Sequence, residues 1–163
     1  MSSGGRLIES EVDADAVGAR AWQILLITSV SVFLVAMDVT IVSVALPGIR
    51  ESFDPSPGLL AWVFTGYNIT FAALLLVAGK LGDRWGHREA FLGGLSLFAL
   101  ASLLAAIAPG IELLIVGRVV QAIGSALIYP ASLALLLPQF PPSRRSMAIG
   151  IWGGIAGLGG AVA

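Results

Sequence analysis

Residues 111–137 read IELLIVGRVVQAIGSALIYPASLALLL, an apolar run in which Arg118, Gln121, Ser125, Tyr129 and Ser132 recur at intervals of 3, 4, 4 and 3. That spacing places five polar side chains on one face of a 3.6-residue helix. From Arg118 to Ser132 the stripe rises roughly 20 Å at about 1.5 Å per residue, most of the thickness of a bilayer's hydrocarbon. Such a stripe cannot face lipid along its length, so it must line a polar cavity or meet neighbouring helices. For Ser125 and Ser132, hydrogen bonding between packed helices accounts for the pattern as well as a cavity does. Arg118 asks for more, because a guanidinium cannot be neutralised and needs an anion, dipoles or water.

The rest of the chain has the composition of a membrane protein. Hydrophobic residues make up 57% and charged residues 12%, against about one quarter charged in a soluble domain. A span needs about 20 apolar residues in helix. Four such stretches run over residues 21–46, 59–79, 90–108 and 111–137, and a partial fifth over 147–163. The expected fold is therefore all-α and integral to the membrane, with four transmembrane helices plus part of a fifth and no second domain. Residues 1–20, acidic and rich in Ser and Gly, are expected to form a disordered cytoplasmic tail. The first span is expected to remain in the mature protein, since Glu9, Glu11, Asp13 and Asp15 precede it and it exceeds the core of a signal peptide.

Charge position orients these spans. If they alternate, Arg6, Arg20, Lys80, Arg84, Arg88, Arg144 and Arg145 fall on one side and Arg50 alone on the other. The positive-inside rule then puts the N-terminus and the loops 80–89 and 138–146 in the cytoplasm. Trp22 and Trp62 fall near the expected interfaces.

Within the first span, Asp38 lies nine residues before Pro47, and Arg118 lies seven residues after Ile111. Their depths from the outer surface agree within roughly 3 Å, so the two can meet. A buried charge costs roughly 2.5–3.5 kcal/mol on insertion scales and persists where it has a partner or a task. Burial favours the acid and a guanidinium favours the carboxylate, so a moving partner could switch Asp38 between the two and make it a proton-coupling site. The plainer alternative is a static ion pair that only orients two helices.

The segment Gly79-Lys80-Leu81-Gly82-Asp83-Arg84-Trp85-Gly86-His87-Arg88 resembles the G-x-L-x-D-R-x-G-R-K-x-x-L signature between the second and third helices of major facilitator superfamily transporters, with His87 in place of a basic residue. Residues 37–47, MDVTIVSVALP, resemble the first-helix signature of the fourteen-helix drug:proton antiporters. Leu114, Arg118, Gln121, Gly124 and Ala126 match the fourth-helix pattern of the superfamily, and the glycines at 150, 153, 154 and 157 resemble the opening of its fifth. The resemblance implies the N-terminal part of a major facilitator fold, in which two six-helix halves enclose a substrate site near the midplane. The chain is then expected to be a fragment of a longer transporter or a truncated gene product, with the parent's helix number open between twelve and fourteen.

The implied function is secondary active, proton-coupled export of amphipathic drugs by alternating access at the cytoplasmic membrane. Asp38 and Arg118 would couple protons, and Gln121, Ser125, Tyr129 and Asn68 would line the substrate path. Gly79, Asp83, Arg84, Gly86 and Arg88 would form a cytoplasmic gating loop. The implied partners are membrane lipid, protons, a small-molecule substrate and the remaining helices, with no nucleic acid. Alternatives are a metabolite facilitator of the same superfamily, or a non-transporting membrane protein that needs a partner. No enzymatic activity, cofactor or metal is expected: the chain has no cysteine, its lone His87 has no metal-ligand spacing, and no nucleophile elbow or phosphate loop occurs.

Overall fold

The structure, a computed structural model, describes residues 17–162. Of the tail expected over residues 1–20, residues 1–16 lie outside these, while Ala19 and Arg20 belong to the first helix. Among the described residues there are five α-helices and no strands: α1 (Ala19–Phe53), α2 (Pro57–Trp85), α3 (His87–Ala106), α4 (Ile111–Leu136) and α5 (Arg145–Ala161). Single 3₁₀ turns at Leu137–Gln139 and Pro142–Arg144 join α4 to α5. Four helices are long and apolar enough to cross a membrane, the fourth counted through Gln139.

The first two helices overrun the expected spans at both ends and α3 and α5 start early, whereas α3 and α4 stop one or two residues short of their expected ends. The first begins at Ala19 rather than Ala21, and continues through Pro47 to Phe53 instead of stopping at Leu46. Its 35 residues rise about 50 Å, more than the hydrocarbon requires. Asp54, with φ 41°, ends it, its N–H donating to the Arg50 carbonyl at 3.0 Å. The second starts at Pro57, where Ser56 caps it by accepting the Leu59 N–H at 3.4 Å and proline occupies the first turn.

The expected loop 80–89 is almost entirely helical. The α2 helix runs on to Trp85, α3 begins at His87, and Gly86 alone separates them, at φ 103°. Charged residues beyond the hydrocarbon are compatible with helix, so only the glycine's left-handed backbone makes the reversal.

The α4 helix is central, packing on α3 most extensively, then α2, then α1, while α5 lies along α1. Where α3 crosses α4, Gly94 and Gly124 stand back to back: a Cβ on Gly94 would lie 2.8 Å from the Gly124 carbonyl oxygen, and one on Gly124 2.7 Å from that of Gly94. Small residues bring backbones this close in a membrane, where contact between helices rests on packing rather than on expulsion of water. One apolar cluster joins Val32, Val35, Phe91, Ile128 and Ala131. A second, of Ala21, Leu25, Leu136, Phe140 and Ala148, ties the start of α1 to the end of α4 and the start of α5. The outward faces are apolar too, with Leu76 81% exposed, as suits lipid or further helices and not water.

Candidate functional site

The fourth-helix stripe turns inward. Arg118, Gln121, Ser125 and Ser132 are buried and Tyr129 half-buried, so α4 presents its polar face to its neighbours. Arg118 meets Asp38 of α1: its Nη1 donates to Asp38 Oδ2 and, at 2.9 Å, to Gln121 Oε1. Gln121 Nε2 donates to Asp38 Oδ1 at 3.1 Å and to Ser102 Oγ of α3 at 2.7 Å. Both carboxylate oxygens of Asp38 therefore accept hydrogen bonds, one of them from a cation.

The α2 helix closes this network from the other side. The Tyr67 ring lies under the guanidinium, 4.4 Å from ring centre to Arg118 Cζ, a cation–π contact away from water. Tyr67 OH donates to Ser125 Oγ at 2.8 Å, and Ser125 Oγ donates to the Gln121 carbonyl at 3.0 Å. Four helices thus share one network, α1, α2 and α4 meeting at the guanidinium and α3 joining through Gln121, while the Arg118 Nε remains buried without a partner among the described residues.

The remaining expected site residues lie elsewhere. Asn68 is exposed, one position along α2 from Tyr67, and its amide donates to the Phe64 carbonyl of its own helix at 3.1 Å. Tyr129 belongs to an aromatic file: Tyr67 stacks on Phe71 at 6.3 Å, Phe71 meets Tyr129 edge-on at 5.5 Å, and Tyr129 meets Trp152 of α5 at 5.9 Å. Ser125 is bonded to Tyr67 of α2 and to the α4 backbone, and Ser132 donates to the Tyr129 carbonyl of its own helix at 2.7 Å. Gly79, Asp83, Arg84, Gly86 and Arg88 gather at the α2–α3 reversal, with Asp83 3.5 Å from His87 and Arg88 4.0 Å from Glu89.

Sequence reasoning missed Ser102 and Tyr67. Ser102 stands among small and apolar residues with no stripe of its own, and Tyr67 reads as an ordinary aromatic. The signal for both lies in what opposes them on α4. A cleft of about 420 Å³ opens between α1 and α3, with Leu34, Met37, Ile41 and Phe98 among its walls and Asp38 and Ser102 its only polar lining residues. Among the described residues no cluster of side chains could hold a metal ion.

The family profile described as Major Facilitator Superfamily matches residues 28–163. The tetracenomycin C resistance and export protein of Streptomyces glaucescens is 41% identical over 144 residues, 88% of this chain and 27% of that protein. The methylenomycin A resistance protein of Streptomyces coelicolor is 44% identical over 131 residues, covering 77% of this chain and 28% of the relative. The multidrug efflux pump LfrA of Mycolicibacterium smegmatis is 39% identical over 146 residues, covering 89% and 29%. The chain thus spans less than a third of the length of these curated relatives.

Proposed function

The chain belongs to the Major Facilitator Superfamily, and from that premise we propose that it forms part of a proton-coupled exporter of amphipathic small molecules in the cytoplasmic membrane, with Asp38 as the coupling carboxylate. The single observation that carries this reading is the Asp38–Arg118–Gln121 network at mid-span, where a charge is too costly to keep without a task. That the relatives are named for drug resistance and efflux supports the substrate class.

In the cycle we propose, a proton enters from outside, converts the Asp38 carboxylate to the acid and releases Arg118. Substrate binding from inside displaces that proton to the cytoplasm and restores the carboxylate and the ion pair. A membrane potential adds about 2.3 kcal/mol per charge per 100 mV to that exchange. No covalent chemistry is involved. Phe71, Tyr129 and Trp152 offer flat apolar faces to a lipophilic substrate, whose path Gln121 and Tyr129 border; Ser125, bonded to Tyr67, and Asn68, turned outward, would reach that path only on rearrangement. Asp83, Arg84 and Arg88, on the cytoplasmic side with the N-terminus, would latch the halves of the transporter.

The test uses the full-length transporter carrying this segment, in inverted membrane vesicles with an imposed proton gradient and ethidium as cargo. Asp38→Asn should abolish uphill accumulation while leaving downhill ethidium movement. Uphill transport by Asp38→Asn would sink the coupling role, and downhill movement alone in the unmodified protein would favour a facilitator.

A further inference from the structure

We propose that Ser102 is a positioning residue for the protonation of Asp38, acting through the side-chain amide of Gln121; this rests on the proton-coupling reading above. The hydroxyl of Ser102 has one hydrogen, and it goes to the Phe98 carbonyl of the preceding turn at 2.9 Å. What remains facing α4 is an acceptor. Only the NH₂ end of Gln121 can meet it, and does so at 2.7 Å.

A glutamine amide has two orientations, related by exchange of oxygen and nitrogen. With Nε2 held by Ser102, Oε1 accepts from Arg118 at 2.9 Å and the second Nε2 hydrogen reaches Asp38 Oδ1 at 3.1 Å. That donor suits a carboxylate. A carboxylic acid whose hydrogen sits on Oδ1, the oxygen that does not face Arg118, would offer it to the amide and would want Oε1 instead, which requires the amide to turn. Ser102 opposes the turn, because the turned amide would set Oε1 against an oxygen whose hydrogen is already spent; Arg118 opposes it too while its Nη1 donates to Oε1, but once protonation releases Arg118 the hold that remains is that of Ser102. Ser102 thereby biases Asp38 toward the ionised form without touching it.

The setting allows a readable effect. Among the described residues the charged or titratable groups facing Asp38 are Arg118 on α4 and, beneath its guanidinium, Tyr67 on α2. What α3 brings to the network is Ser102, and α5 meets the neighbouring turn of α1 through the Gly160 carbonyl, which accepts from Thr40 Oγ1 at 3.3 Å. Asp38 and Ser102 also border the same cleft between α1 and α3, so the amide that joins them lies beside the open edge of the carboxylate.

The test measures binding of tetraphenylphosphonium, and the protons released on binding, as a function of pH for the full-length transporter in proteoliposomes. Ser102→Ala frees the amide to turn, and the midpoint should move to alkaline pH by roughly 0.5–1 unit, a three- to tenfold gain in proton affinity. Ser102→Thr keeps the acceptor and should restore the midpoint. If Ser102→Ala does not accumulate, Ser102→Cys, whose sulfur accepts only weakly, should shift the midpoint in the same direction. Asp38→Asn separates the two ideas. Should Asp38→Asn keep the pH dependence of the unmodified protein, the coupling reading itself falls. Should it abolish that dependence while Ser102→Ala or Ser102→Cys leaves the midpoint in place and lowers only thermal stability, Ser102 is a packing residue and this inference is overturned.

Discussion

Asp38 and Arg118 form a lopsided pair: the Arg118 side chain is 2% exposed and that of Asp38 21%. The cation is locked in by α1, α2 and α4, while the anion keeps an open edge. Arginine cannot lose its proton, so any change of charge state in this pair falls on the carboxylate.

Removing Arg118 should cost more than neutralising Asp38, because the truncation also forfeits the Tyr67 face and the Gln121 acceptor that hold the guanidinium. Arg118→Ala leaves a carboxylate deprived of its cation, and breaking a buried pair from one side costs about 3–5 kcal/mol. Asp38→Asn should cost less, since an amide still accepts from the guanidinium. The double variant Asp38→Asn/Arg118→Ala should be less destabilised than the sum of the singles. Denaturant titration in detergent micelles measures all three, and strict additivity would show that the pair is not energetically coupled.

The two partners of Tyr67 can be separated. Tyr67→Phe removes the hydroxyl bonded to Ser125 but leaves the ring under Arg118, so a loss of about 1 kcal/mol with export retained is expected. Tyr67→Leu also removes the cation–π face and should lose a further 1 kcal/mol or so. Melting temperature together with ethidium export by the full-length protein distinguishes them.

Adjacent glycines of α3 should behave oppositely. Gly94→Ala drives a methyl to 2.8 Å from both the Gly124 carbonyl oxygen and Leu127 Cβ, which must push α3 off α4 at a cost of about 1–3 kcal/mol. Gly93→Ala meets nothing within 4 Å and should be neutral or stabilising. Equal effects on folded yield would contradict the close crossing.

A similar contrast is expected in the signature between α2 and α3. Gly86 has φ 103°, so Gly86→Ala should destabilise the reversal by roughly 1–3 kcal/mol. Gly79 is an ordinary helical residue whose added Cβ would lie 4.0 Å from Pro130, and Gly79→Ala should be tolerated. Protease accessibility at the Asp83–Arg88 segment, compared between the two variants, reads the difference.

Apolar runs and a 3.6-residue polar period determined, from sequence alone, that this chain is a set of membrane helices and that α4 turns a polar face toward partners. A bilayer permits few alternatives to helix, so composition and period suffice for that much. The equal depths of Asp38 and Arg118 were legible for the same reason, as a helix converts residue number into height. Tertiary structure alone decided which residues complete the network. Ser102 and Tyr67 have no distinguishing local pattern, and their roles exist only because the Gly94–Gly124 crossing and the α2–α4 contact bring them against Gln121 and Arg118. It also decided that Ser125 bonds across to Tyr67, that Ser132 bonds within α4 and that Asn68 faces outward. A helix's own sequence sets which side chains share a face, but the identity of what that face meets is a property of the chain's long-range packing.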